Sequence, residues 1–465
     1  MAELSTQDTL FLKLETPEAP MHLGLLMTCR LPKGASPDFM QELQARLARF
    51  AADSEPFNLQ LVERRRLGRY SPCWEIAKKV DLEYHLSHEA LPWPGGQREL
   101  GLAISRLHSL PLERSRPLWE ATLVEGLRPD RFALYLKIHH SLGDGIGLIN
   151  KVASALATSA RGVSVPPWTE PPAARVTARP TQSADEDWRR FFAEVLGNVG
   201  RTLTRARSGQ LIPHGPRCVL NGDSTGRRRV ATQELSLPRI RAVARAADAT
   251  VNDVVLAVCS GALRAYLAQF DRIPKESLLV TVPVALPRPE GETLGTAVAS
   301  IHTAIATQQR DPRKRLLAIR DAMREAKEEF KVMPVSLHKA INSVGMQLMM
   351  MVPKRETTDP ARAAFTNLTV SNVPGPTQRL YFFGAEVDGL YPVSVLSGDQ
   401  RLNITALSYD KSLHFGLVAC PDTLPSVQYL ALQLPVALRE LEAALEGTAR
   451  AKGKAARGKR TRASR

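Results

Sequence analysis

Cysteine is scarce in this chain of 465 residues: Cys29, Cys73, Cys218, Cys259 and Cys420 are odd in number, far apart and never spaced Cys-x-x-Cys. That pattern argues against a disulfide framework or a zinc ribbon and fits a reducing cytoplasm. Long apolar runs are missing too. No stretch reads as the roughly 20 apolar residues of a membrane span, and Val344 to Val352, with Met349, Met350 and Met351, is too short. The opening Met1-Ala2-Glu3-Leu4-Ser5 has neither a basic start nor an apolar run, so no signal peptide is expected. Acid is the third shortage. Lys plus Arg number 62 against 47 Asp plus Glu, a formal charge of +15, and from Thr448 onward eight basic residues meet no acidic one. With 44% hydrophobic and 23% charged residues the chain is globular, long enough for two domains or one large two-lobed unit.

What the chain does contain is concentrated between Lys137 and Gly145, in the run Lys-Ile-His-His-Ser-Leu-Gly-Asp-Gly. Phe132, Leu134, Leu136 and Ile138 share one parity, and Ala133, Tyr135 and Lys137 the other, which predicts a half-buried strand. Continued by parity, His139 points with Lys137, and His140 points with the apolar set toward the interior. Burial makes an imidazole costly to charge, so His140 is expected to be neutral near pH 7, the form a general base needs. Asp144 is placed to cap a helix striped by Ile146, Leu148, Ile149, Val152, Ala153 and Leu156. Two plainer readings compete: a satisfied core histidine, or a metal site. Neighbours on a strand face opposite ways, so one metal would not easily take both histidines.

Along the chain, Ser5-Thr6-Gln7-Asp8 predicts a capped helix with Leu10, Phe11 and Leu14, and Leu23 to Leu31 a strand. Ser36-Pro37 opens a helix striped by Phe39, Met40, Leu43, Leu47 and Phe50. A further helix follows Gly95-Gly96, then a strand over Glu120 to Leu127; Trp119 by itself reads as core. Pro166, Pro167, Pro171, Pro172 and Pro180 mark an extended linker. Asp185 to Arg207 reads as an amphipathic helix, either packed across the lobes or lying in a lipid headgroup layer. Thr250-Val251-Asn252-Asp253 caps a long helix, and Leu278 to Leu286 reads as a buried strand. Strands are also expected at Val298 to Ile305, Phe365 to Ser371, Arg401 to Tyr409 and Leu413 to Ala419. Helices are expected at Pro312 to Phe330, Val335 to Val352 and Val427 to Leu445. Pro374-Gly375-Pro376 forces a rigid turn. The resulting division is 1–160, a first lobe; 161–229, linker and amphipathic helix; 230–447, a second lobe; and 448–465, a basic, disordered tail.

His-His-x-x-x-Asp-Gly at a strand-to-helix junction resembles the active-site word of acyltransferases related to chloramphenicol acetyltransferase and peptide-synthetase condensation domains. The ordered set of motifs is narrower. Leu4-Ser5-Thr6-Gln7-Asp8 with Phe11, then Pro20-Met21-His22, Pro117-Leu118-Trp119-Glu120, His139 to Gly145 and Val251-Asn252-Asp253-Val254-Val255-Leu256-Ala257 come in sequence. Ser371-Asn372-Val373-Pro374-Gly375-Pro376 and Leu402-Asn403-Ile404-Thr405 with Ser408-Tyr409 follow. Together they resemble the bacterial wax ester synthase/acyl-CoA:diacylglycerol acyltransferases. Leu294-Gly295-Thr296 departs from that pattern, and Ala419-Cys420-Pro421-Asp422 fits it loosely.

The resemblance implies a mixed α/β (α+β) fold of two chloramphenicol-acetyltransferase-like lobes, each a sheet flanked by helices, with a tunnel between them. It implies His140 as general base, Asp144 shaping its loop, and His139 and Gly145 completing the motif. Asn252, beside Asp253, becomes a candidate oxyanion donor with a plain helix cap as its other reading, and Trp119, Ser371, Asn372 and Gly375 become candidates for the tunnel wall. Acyl-CoA is expected as co-substrate, with diacylglycerol or a fatty alcohol as acceptor, and neither metal nor cofactor. No acyl-enzyme is expected, since no serine or cysteine sits in an activating motif. The positive charge suits CoA phosphates, an anionic membrane or lipid-droplet surface, or nucleic acid, the last not favoured. A non-lipid acceptor, or a silent basic lipid-surface protein, are the alternatives. Sequence does not separate monomer from homodimer.

Overall fold

The computed structural model describes residues 2–66, 69–170, 214–286, 298–332 and 364–463. Among them two six-stranded sheets dominate. The first runs in the order Tyr381–Phe382, Ala385–Val393, His22–Arg30, Arg131–His139, Trp119–Leu127, Leu86–Ala90. The second runs Arg229–Ser236, Ser412–Ala419, Leu402–Tyr409, Leu368–Val373, Leu279–Ala285, Val298–Ala304. Both mix parallel and antiparallel pairs. The expected strands are therefore present, and two mixed sheets flanked by helices form two lobes.

The lobes do not follow the chain as expected. Strands Tyr381–Phe382 and Ala385–Val393, from within 230–447, join the first sheet, Leu390 pairing with Met27 and Val393 with Gly24. The second sheet stays in contact at this crossover: the Leu390 N–H donates to His414 Nδ1 at 2.9 Å. A Cβ at Gly416 would meet the Pro392 carbonyl oxygen, so only a glycine lets the two backbones pass there. Leu100, Ile104 and Leu107 of helix Gln97–Ser109 pack with Tyr135, Val230, Val393 and Val418 into a core shared by both lobes.

Strand Arg131–His139 is buried on both faces rather than one. Phe132, Leu134, Leu136 and Ile138 enter the first lobe's core as expected. The other parity is also covered, because its polar groups find partners. Tyr135 meets His108 Nδ1 at 2.7 Å, and Lys137, 1% exposed, donates to the Leu107 and Leu110 carbonyls and pairs with Glu120 at 2.9 Å.

Residues 161–170 are no loose linker: Ser164 donates to the Tyr381 carbonyl at 2.9 Å and the Trp168 ring is stacked on Trp119. Burial of so large a ring, 0% exposed, holds this stretch against the first lobe. Likewise Leu220, within the 161–229 division read as linker and helix, is in the second core. The rest of the linker, the Asp185 to Arg207 helix, the Val335 to Val352 helix and Leu294-Gly295-Thr296 lie outside the described residues. Helix Val251–Phe270, with mean hydropathy 1.3, is long and apolar enough to cross a membrane, contrary to expectation; it is the central helix of the second core. The last helix runs Val427–Ala463, through the tail expected to be disordered, whose Ala, Lys and Arg are strong helix formers.

Candidate active site

The first helix sets the site. Ser5 caps it, accepting the Asp8 N–H at 3.1 Å, and the helix Thr6–Leu14 places Phe11 and, at its C-cap, Glu15 on one side four residues apart. Phe11 lies flat on the His140 ring, centroids 4.0 Å apart and planes 15° from parallel.

His139 ends its strand, opposite His22. The chain leaves the sheet there, so the parity that carried Ile138 inward does not extend to His140. His140–Leu142 is a tight 3-10 turn instead, and the Gly143 N–H closes on the His140 carbonyl at 3.3 Å. His140 is half-buried and is the accessible member of the pair; its main-chain N–H donates to the Met21 carbonyl at 2.9 Å. Burial pushes its imidazole down to about 4, outweighing the bond its ring makes to its own main-chain carbonyl and the pull of Asp144. The expected neutral state is thus present, produced by stacking and enclosure rather than by strand alternation.

His139 is wholly buried, 0% exposed. Its Nδ1 accepts the Ser141 N–H at 3.2 Å and lies 2.6 Å from the Ser141 hydroxyl, while its Nε2 faces Glu15 Oε1 at 3.5 Å. Serine, histidine and glutamate in line have the composition of a nucleophilic triad. Ser141 is 1% exposed, however, and its oxygen is turned to a buried ring, so no thioester can reach it.

Asp144 caps helix Gly145–Ala155 as expected, accepting the Gly147 N–H at 2.9 Å. In the turn that follows His140, a Cβ built at Gly143 or Gly145 would meet no atom within 4 Å, so both glycines border open space.

Two sequence profiles match: the wax ester synthase/diacylglycerol acyltransferase catalytic domain over residues 4–255 and the C-terminal domain of the same group over 294–442. The O-acyltransferase WSD of Acinetobacter baylyi is 34% identical over 459 residues, covering 93% of this chain and 95% of that protein. The chain belongs to the wax ester synthase/diacylglycerol acyltransferase family. The solved wax ester synthase/diacylglycerol acyltransferase of Marinobacter aquaeolei VT8 superposes with TM-score 0.75 at 35% identity, over 96% of this chain and 100% of that one. A condensation domain of the calcium-dependent antibiotic synthetase shares the fold, with TM-score 0.57 at 16% identity over 96% of this chain and 97% of that one.

As a member of this family the chain is an acyltransferase with the two-lobed condensation-domain fold, and its other motifs have definite places. Trp119 is 0% exposed, sandwiched between His85 and Trp168, and donates from Nε1 to the Phe57 carbonyl at 2.8 Å. It is core, not tunnel wall. Thr250 and Asp253 form the capping box of helix Val251–Phe270, each side chain accepting the other's N–H at 3.2 and 2.8 Å. The cap is therefore theirs, and half-buried Asn252, next to them, is not the capping residue. Ser371 and Asn372 lie half-buried on strand Leu368–Val373. Gly375 approaches its own lobe: its N–H donates to Ser408 Oγ at 3.1 Å, and a Cβ there would strike the Ser408 carbonyl. Its smallness lets the turn close on the Ser408 main chain.

Phe11, Glu15 and Met21 complete the site, and sequence reading gave none of them a role in it. Phe11 read as one of a helix's apolar residues, and the Phe11-x-x-x-Glu15 spacing on a capped helix was the available signal.

Proposed function

We propose that this acyltransferase is acyl-CoA-dependent and forms neutral storage lipid, triacylglycerol from diacylglycerol or wax ester from a long-chain alcohol, with His140 as general base. One observation carries the reading: a neutral imidazole stacked on the Phe11 ring, its main chain tied to the Met21 carbonyl, in a turn whose glycines border open space. The names of the relatives, an O-acyltransferase and a wax ester synthase/diacylglycerol acyltransferase, support the substrate class.

In the proposed step His140 takes the proton of the acceptor hydroxyl as that oxygen attacks the thioester carbonyl. The tetrahedral oxyanion collapses, the C–S bond breaks, and the CoA thiolate recovers the proton from the imidazolium. A positioned base of suitable pKa contributes about 10²–10⁴-fold. Asn252 is the candidate donor to the oxyanion. Transfer is direct, since Ser141 is enclosed. Acyl-CoA and the acceptor are the only reactants, with no metal or cofactor in the step. Peripheral attachment to a membrane or droplet surface accompanies the reading. Trp93, 84% exposed between Pro92 and Pro94, and the net charge of +15 suit a lipid headgroup layer.

Intact-mass measurement after incubation with palmitoyl-CoA, without acceptor and then with dipalmitoylglycerol or hexadecanol, tests the scheme. Unmodified protein and CoA release only with acceptor are expected. A stable acyl adduct on Ser141 would refute direct transfer, and release with neither acceptor would favour a non-lipid acceptor or a silent protein.

A further inference from the structure

Glu15 stands between three groups that take no part in the proposed proton transfer: the Met21 N–H, His139 and Arg114. Its Oε1 accepts the Met21 N–H at 3.1 Å and faces His139 Nε2 at 3.5 Å. Its Oε2 takes Arg114 at 3.1 and 3.3 Å, from Nη2 and Nε. Burial alone would raise this carboxyl, but His139, the Met21 N–H and Arg114 outweigh burial and hold it down to about 2. It is an anion placed inside the lobe.

The hydrogen bonds of His139 say which of its two ring nitrogens carries a proton. Nδ1 receives the Ser141 N–H, a donor that cannot turn away because it belongs to the main chain. Nδ1 must therefore be the acceptor, and the proton belongs on Nε2. In a wholly buried ring that N–H needs an acceptor nearby, and the Glu15 carboxylate is placed to be one. The same carboxylate oxygen holds the Met21 N–H, and the Met21 carbonyl holds the His140 N–H at 2.9 Å. One oxygen thus bears on the main chain of His140 by two routes, through Met21 on one side and through His139 and Ser141 on the other.

We propose that Glu15 is a positioning residue: it holds His139 as the Nε2–H tautomer and so locks the turn that aims His140 at the acceptor hydroxyl. The inference rests on the reading of His140 as base. Without the anion, the Nδ1–H tautomer of His139 becomes accessible and sets a donor against the Ser141 N–H. The turn then loosens, and an ångström of misplacement at the base costs about 10²-fold in rate.

The test uses the full-length protein with palmitoyl-CoA and hexadecanol. For Glu15→Gln the expected result is a kcat about 10²-fold lower with KM for acyl-CoA within about twofold, as for a group that acts on geometry rather than binding. Glu63→Gln is the control, because Glu63 also pairs with Arg114, at 3.3 Å, yet touches neither histidine; it should leave kcat unaltered. Nitrogen-15 histidine spectra, assigned with His139→Gln, should show His139 as Nε2–H in wild type and a tautomer mixture in Glu15→Gln. An Nδ1–H or imidazolium His139 in the wild type overturns the inference even if the variant does not fold. A dead His140→Ala beside a fully active Glu15→Gln also overturns it, and leaves the base in place. An active His140→Ala removes the base and this inference with it.

Discussion

Phe11 and His140 lie face to face, 4.0 Å between ring centroids, and the stack excludes water from one side of the imidazole. Enclosure is what depresses the histidine, so Phe11 tunes the base as well as holding it.

Phe11→Ala should therefore raise the His140 pKa toward the ordinary value near 6.5. In wild type the limb of kcat/KM due to this group should lie near pH 4, because only the neutral ring accepts a proton. In the variant the limb moves up, so the loss of activity is larger at pH 6 than at pH 8. A pH profile with the same limb in both proteins would contradict this.

Stability should depend on pH through the buried neutral histidines. Burial pushes His22 well below its ordinary value and His108 down to about 3. Both folded values lie below the unfolded one, so between pH 6.5 and the folded pKa the unfolded chain binds more protons. Stability then falls as pH falls through that window, by about 1.4 kcal/mol per histidine per pH unit at most. Glu15, held at about 2, adds the same sign below pH 4.5. Thermal melting from pH 7.5 to 5 should show Tm nearly level above pH 6.5 and declining below it. Replacing His108, whose Nδ1 meets the Tyr135 hydroxyl, by Gln should flatten the slope.

Asp144→Ala removes the cap of helix Gly145–Ala155 and should cost about 1 kcal/mol of stability together with activity. Asparagine caps nearly as well, so Asp144→Asn should lose clearly less of both. Equal losses in the two variants would assign the role to the charge.

Trp119→Ala should destabilise by about 3–5 kcal/mol in denaturant unfolding, because it empties a site between two rings and orphans the Phe57 carbonyl. If the variant kept wild-type stability and lost only acyl-CoA binding, Trp119 would be a substrate contact after all.

The reach of sequence reading divides along physical lines. Local rules carried far: Ser5, Asp144 and Thr250 cap where their spacing predicts, and apolar patterning located eight of the strands in the two large sheets but not Leu86–Ala90, Arg229–Ser236, Tyr381–Phe382 or Ala385–Val393. The motif residues His140 and Asp144 were legible for the same reason, since a strand, a turn and a cap stand within a few residues. What failed depends on contacts distant in sequence. Ala385–Val393 crosses to the other lobe because the edge of His22–Arg30 accepts it, which no local pattern encodes. Lys137 and Tyr135 look like an exposed face until helix Gln97–Ser109 supplies their partners. His140 was expected to point inward by parity, but the strand stops one residue earlier, and His140 is half-buried while His139 is wholly buried.

The most direct measurement is CoA release from palmitoyl-CoA with hexadecanol or dipalmitoylglycerol, wild type beside His140→Ala. Wild type should release CoA only with an acceptor, and the variant, folded to the same Tm, should be slower by at least about 10². A variant that keeps the wild-type rate would make His140 a packing residue and remove the base from the mechanism.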